Sequence, residues 1–287
     1  MKRILCLVIV YHDFPIVRAC LDFLAKHREQ LDIIVVENFS EHTNAQIKPY
    51  VLNLLQSGVV QKYFLFNQNI SMNVFEVILQ EGGLNLTEAD YVMVTDGDLI
   101  VQQGDWLGEQ QSILERHPDV FACGMTLDMK NLPVRAFPDA VNWVHTGTEC
   151  PDYFLASTGL WLLLMRSKGF QEFVSWHKQN SYPRFSDTLL RKWCKRVAEK
   201  KWVRTKQTKA YHLTWDRYMD LNHPYTQIKT QNTLRKLFHH HRYCGYTLYT
   251  RDKTSRHFPV AKYFKGLKRS FSAAVLDGLS KKKPLSN

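Results

Sequence analysis

The sequence predicts an α/β protein: a mostly parallel sheet flanked by helices, followed by a basic, mainly helical C-terminal extension. Three observations carry that expectation. β-rich apolar runs alternate with segments of helical period between residues 3 and 96. The chain has 287 residues and is 45% hydrophobic, enough for one large α/β domain with an appendage. Its charge also changes sign along its length. Residues 1–190 carry 14 Lys and Arg against 22 Asp and Glu, and residues 191–287 carry 24 against 5.

The elements follow in order. The run "RILCLVIVY" (3–11) is a first strand, and "PIVRACLDFLAKHREQL" (15–31) has apolar residues at helical spacing with Pro15 suited to a first turn. A second strand is "DIIVVEN" (32–38), and "NAQIKPYVLNLLQSG" (44–58) is a helix stopped by Gly58. The third strand is "VQKYFLFN" (60–67), the third helix "SMNVFEVILQEGG" (71–83), and the fourth strand "DYVMVTD" (90–96). This β-α-β-α-β-α-β rhythm predicts parallel strands with helices on both faces.

Several function classes are disfavoured. The longest apolar runs, 4–11 and 160–165, fall far short of the ~20 residues that span a bilayer. The N-terminal run ends in Tyr11, His12 and Asp13 without a small-residue cleavage site, so it reads as a buried strand rather than a signal peptide. Six scattered cysteines with no CxxC pair argue against a zinc knuckle or disulfide framework and for a cytoplasmic location. The segment "YHDFP" after the first strand contains neither a GxGxxG nor a GxxxxGK[ST] loop, which disfavours a dinucleotide dehydrogenase or a P-loop ATPase.

Polar residues collect at the strand ends: Tyr11, His12 and Asp13 after strand one, Glu37, Asn38 and Ser40 after strand two, Asn67 and Asn69 after strand three, Asp96 and Asp98 after strand four. Ligands of parallel sheets bind outside the carboxyl ends of the strands. Asp96 and Asp98 flank a single glycine, and two carboxylates so close repel unless solvated or bridged by positive charge. A divalent ion such as Mn²⁺ or Mg²⁺, which prefers oxygen ligands, would supply that charge.

These motifs resemble those of the GT-A glycosyltransferases, in particular the large inverting family 2. The resemblance covers roughly residues 3–216: "IIVVENFS" has Glu37 where the family has Asp, "NQNIS" lacks the family's glycine, and "TDGDL" resembles the DxD motif. "FSDTLLRKWCKRVAEKKWVRTKQTKAYHLTW" (185–215) resembles the family's acceptor-side segment and its downstream histidine. The resemblance implies a Rossmann-like catalytic domain at 1–216 and an extension at 217–287. It implies Asp98 as metal ligand, Asp96 as ligand or ribose partner, and His212 as a further ligand or diphosphate contact. Tyr11, Glu37, Asn38 and Asn69 would bind the nucleotide sugar, and Asp187 would be the catalytic base. Ser186 stands where the family has Glu. The implied reaction is metal-dependent inverting transfer from a UDP or dTDP sugar to a glycan or lipid-linked acceptor, in bacterial cell-surface polysaccharide synthesis.

Other readings compete. Asp187 also suits a helix cap, and Trp143, His145, Tyr153 and Trp161 suit core packing as well as stacking on an acceptor sugar. A nucleotidyltransferase would use similar carboxylates but calls for a Gly-rich loop after strand one. A nucleic-acid-binding role would use the basic third but leaves the strand-end rim unexplained, so no nucleic acid is expected. "HHH" (239–241) reads as basic surface. The last residues, 259–287, place Val260, Phe264, Leu267, Phe271, Val275 and Leu279 on one stripe among lysines, which fits a helix lying peripherally on the inner face of an anionic membrane.

Overall fold

The computed structural model describes residues 2–81, 84–144, 146–180, 185–231 and 244–257. Its first half runs β1 (Ile4–Val10), α1 (Phe14–Ala25), β2 (Leu31–Glu37), α2 (Lys48–Gln56), β3 (Val60–Phe66), α3 (Asn73–Glu81) and β4 (Tyr91–Asp96). β5 (Leu99–Val101), α4 (Trp106–Arg116), β6 (Val120–Leu127), β7 (Thr148–Glu149), β8 (Phe154–Leu155), β9 (Leu163–Arg166) and α5 (Ser167–Gln179) follow. The remainder is α6 (Asp187–Arg196), β10 (Lys201–His212), α7 (Leu213–Tyr218), α8 (Pro224–Gln231), β11 (Tyr246–Tyr249) and β12 (Thr254–His257).

The first four predicted strands and three helices are all present. Asp13 caps α1 by accepting from the Ile16 amide at 3.2 Å, with a proline in the first turn. Past the end of α2, Gly58 adopts φ +78°, the left-handed geometry that ends helices and that glycine takes without strain. β1 lies at the centre, in parallel register with β2 on one side and β4 on the other, and β3 runs parallel to β2.

Alternation along β1 divides the core into two layers. Ile4, Cys6, Val8 and Val10 pack with Val17, Leu21 and Leu24 of α1 and Val51 of α2. Leu5 and Leu7 pack on the other face with Val74 and Ile78 of α3, Phe170 and Phe173 of α5 and Trp193 of α6. Successive strand side chains point to opposite faces, so an uninterrupted apolar run must be covered on both.

The sheet is mixed, which corrects the expectation of a mostly parallel one. Its order is β12-β11-β3-β2-β1-β4-β9-β6-β10-β8-β7, with β5 paired to β10. β9 inserts antiparallel between β4 and β6, and parallel pairing resumes only between β6 and β10. The expected helical character of 217–287 is also corrected for residues 244–257. They form a hairpin whose strand β11 pairs antiparallel with β3, and Cys244 and Tyr246 are buried in the same core layer as Phe64 and Phe66. The rings of Phe64, Phe66 and His257 surround Tyr246 at 5.5, 5.4 and 4.7 Å. α7 runs across position 216, where the catalytic domain was expected to end. The "HHH" run and the 259–287 stripe lie outside the described residues, and among those residues no helix is long and apolar enough to cross a membrane.

Candidate active site

At the carboxyl ends of β1 and β4 a cavity of about 480 Å³ opens. Its acidic wall is the turn that follows β4. A Cβ built on Gly97 would lie 2.5 Å from the Ile9 carbonyl oxygen and 2.8 Å from the Val10 side chain, so no other residue fits there without displacing β1. The missing side chain lets the turn lie against β1, with the carboxylates of Asp96 and Asp98 lining the cavity.

Backbone pairing brings a histidine to the same place. β5 runs antiparallel to the end of β10 with Leu99 opposite His212, and the Leu213 amide donates to the Asp98 carbonyl at 2.8 Å. His212 Nδ1 therefore stands 3.5 Å from Asp98 Oδ2. Its ring is stacked on Trp215, centroids 4.8 Å apart and 6° from parallel, which fixes its plane. The Thr214 hydroxyl donates to the same Asp98 oxygen. The other oxygen, Asp98 Oδ1, is buried without a hydrogen-bond partner among the described residues. Leaving such an atom unsatisfied costs on the order of 1–3 kcal/mol, and more for a charged group. A cation removes that penalty. The donor set of two carboxylates and one imidazole fits Mn²⁺ or Mg²⁺.

The opposite wall is polar but largely self-satisfied. Asn38 donates from Nδ2 to the Ser71 carbonyl at 3.3 Å and accepts from the Ile70 amide at 2.9 Å, tying the end of β2 to the loop before α3. Asn69 accepts from the Ser71 amide at 2.9 Å and hydrogen-bonds the Tyr11 hydroxyl, whose pKa is raised, mainly by burial. Tyr11, Asn38 and Asn69 thus line the cavity beside Asp96, Asp98 and His212.

Two expected site residues lie elsewhere. Glu37 is 0% exposed and turns into the core, where it accepts from the hydroxyls of Tyr63 and Thr43. Burial raises its pKa to about 7 against those hydrogen bonds. Asp187 opens α6 and is half-buried, with Oδ1 accepting from the Thr188 amide at 2.6 Å, and it does not line the cavity. The cap of α6 is Ser186, which accepts from the Leu189 amide at 3.0 Å, so the cap predicted for Asp187 belongs to its neighbour. Trp143 and Trp161 reach the cavity, whereas Tyr153 packs edge-on to His117 in the core.

Sequence reasoning missed the partner of Asp13 and the place of two aromatic residues. Asp13 both caps α1 and accepts from Arg217 Nε at 3.0 Å, which joins the end of β1 to α7. Tyr218 and Tyr225 line the cavity from beyond position 216, stacked on one another at 6.1 Å. The density of rings in "WDRYMDLNHPY" is the one sequence signal that could have found them.

No family model matches the chain. It is 41% identical over 235 residues to the uncharacterized protein L137 of Acanthamoeba polyphaga mimivirus, covering 81% of this chain and 32% of that protein. It is 40% identical over 234 residues to L142 of the same virus, covering 80% of this chain and 48% of that protein. The chain thus spans less than half the length of these relatives. Among solved structures, it is similar to GalNAc-T7 crystallised with UDP, GalNAc and Mn²⁺, with a TM-score of 0.47 and 10% identity, over 74% of this chain and 43% of that one. It is also similar to S. aureus TarS 1-349 in complex with UDP-GlcNAc, with a TM-score of 0.45 and 12% identity, over 73% and 58%.

Proposed function

We propose that this chain is a metal-dependent glycosyltransferase that moves a sugar from a nucleoside diphosphate to an acceptor hydroxyl. The observation that carries the reading is the buried Oδ1 of Asp98, without a hydrogen-bond partner among the described residues, at the carboxyl end of a parallel strand, beside Asp96 and His212. Asp98, Asp96 and His212 would hold a divalent ion. That ion supplies positive charge where the leaving diphosphate gains negative charge.

The chain's own groups do the rest. Thr214 and His212 fix the Asp98 carboxylate, and Trp215 fixes His212, so the ligand cluster is oriented before anything binds. Tyr11, Asn38 and Asn69 form the wall that receives the nucleotide. Glu37, drawn into the core, supports that wall from below rather than touching the base. Asp187 acts as the base that takes the acceptor proton. Of the carboxylates that line the cavity, Asp96 and Asp98 would hold the ion and Asp13 is committed to a helix cap and to Arg217, so the base is assigned to Asp187, outside that lining. A single base supports a single displacement and hence inversion. Trp143, 37% exposed at the cavity mouth, offers a flat apolar face for the acceptor, of glycan or lipid-linked class.

Titration calorimetry with UDP, in Mn²⁺ and then in excess chelator, tests the reading. UDP binding is expected only with metal, and Asp98→Asn is expected to abolish it while circular dichroism stays unchanged. Equal UDP affinity in chelator would overturn the proposal.

A further inference from the structure

A second cluster of metal-binding type stands behind the cavity, built from residues the proposed reaction does not use. His12 follows β1, and Glu41 and His42 follow β2. One ligand atom from each lies within 4.8 Å of the others. Both histidine Nε2 atoms approach the same Glu41 oxygen, at 3.6 Å for His12 and 3.7 Å for His42. Ligand atoms around a tetrahedral Zn²⁺ with bonds near 2.1 Å sit about 3.3–3.5 Å apart, so the two separations from Glu41 are close to those of a bound site.

The backbone is arranged for the cluster. His12 has φ +60°, a left-handed conformation that a non-glycine residue adopts at a cost of about 1–3 kcal/mol. That turn buries the ring to 3% exposure and stacks it on His42, centroids 4.4 Å apart and 15° from parallel. His42 Nδ1 is buried with no hydrogen-bond partner among the described residues, so turning the ring to bring a nitrogen to an ion breaks no hydrogen bond of that atom. An ion lies in the plane of each imidazole it binds, so one stacked ring must turn. The His42 side chain is 35% exposed and that of Glu41 69%, so these two, rather than the buried His12, would turn to complete the site.

We propose that His12, Glu41 and His42 form a binding site for a Zn²⁺-class ion, separate from the Asp98 centre, that clips the loop after β1 to the loop after β2. Two imidazoles and one carboxylate favour Zn²⁺ over the Mg²⁺ or Mn²⁺ suited to the aspartates. The clip bears on the cavity through Tyr225, whose ring stacks on His12 at 5.7 Å and also lines the cavity.

The test is calorimetric titration of Zn²⁺ into the full chain carrying Asp98→Asn, which removes the aspartate centre, with Co²⁺ absorption as a second readout. One equivalent of Zn²⁺ is expected to bind, and Co²⁺ is expected to give the intense visible bands of a four-coordinate site. Adding His42→Ala, or separately Glu41→Gln, should weaken Zn²⁺ at least tenfold. Because Glu41 is exposed, its variant keeps the test valid if His42→Ala fails to fold. No Zn²⁺ binding by Asp98→Asn, or undiminished affinity in the further variants, overturns the site. Neither result bears on whether UDP binding needs Mn²⁺.

Discussion

At the scale of single residues, Glu37 shows how burial changes what a carboxyl does. The resemblance placed it among nucleotide contacts. In the structure its carboxyl accepts from Tyr63 across the β2–β3 pair and is a buried acid with its pKa raised to about 7 from 4.5. The folded state therefore holds this proton more tightly than the unfolded chain. Its stabilising contribution is complete below about pH 4.5 and is lost as pH rises through about 7. Glu37→Gln keeps the shape and stays neutral. Urea unfolding at pH 5 and pH 8 should show the variant gaining roughly 2–3 kcal/mol on the parent over that interval, at 1.36 kcal/mol per pKa unit. An unchanged gap between the two would reject the buried-acid account. The strand-end carboxylates were easier to read. Asp96 and Asp98 declare themselves because two acids flanking one glycine after an apolar strand call for an explanation, and Gly97 is explained by the closeness of β1.

Elements were legible where a period is repeated. The β1-to-β4 half was read with boundaries near those observed, except that α1 ends at Ala25 and not at 31, since each run is bounded by turn residues and each helix has its own stripe. The direction of β9 was not, because "LWLLLM" is apolar throughout and a uniformly apolar run carries no information on strand direction. The β11–β12 hairpin was missed because Lys, Arg and His among its aromatics read as a solvated basic face. α6 belongs between these cases. Its helical pattern was plain, while the role of its first residue depends on an acceptor. If Asp187 is the base, Asp187→Asn lowers kcat by ~10²–10⁴ and leaves donor affinity nearly unchanged. The product of the parent enzyme should carry the inverted anomeric configuration by NMR. Retention would remove Asp187 from this role and the inverting assignment with it.

Over the whole molecule, the expected division at residue 216 meets a cavity that draws on both sides of it. Tyr218 and Tyr225 line it from the far side, Arg217 reaches back to Asp13, and β11 covers the edge of β3. A chain truncated after residue 231 retains all of these except the hairpin. It should bind UDP and Mn²⁺ but unfold at a lower temperature than the full chain, because the exposed β3 edge and uncovered Phe64 and Phe66 lose their packing. A chain truncated after residue 216 should lose binding as well. Calorimetry and thermal unfolding of the two truncations side by side distinguish these outcomes. Equal binding by both would mean that the aromatic wall contributed from beyond 216 is dispensable.

The hairpin on β3 also has a consequence in time. The Gly245 amide donates to the side chain of Asn67, 178 residues earlier in the chain. At ~5–20 residues per second, a ribosome that has finished β3 needs roughly 10–35 s before β11 exists. Through that interval the nascent chain presents a strand with unsatisfied amides and carbonyls, next to phenylalanines that have no cover. Expression yield should therefore depend on what shields that edge during synthesis, and a chaperone able to hold an extended strand is the natural stand-in until the last partner emerges.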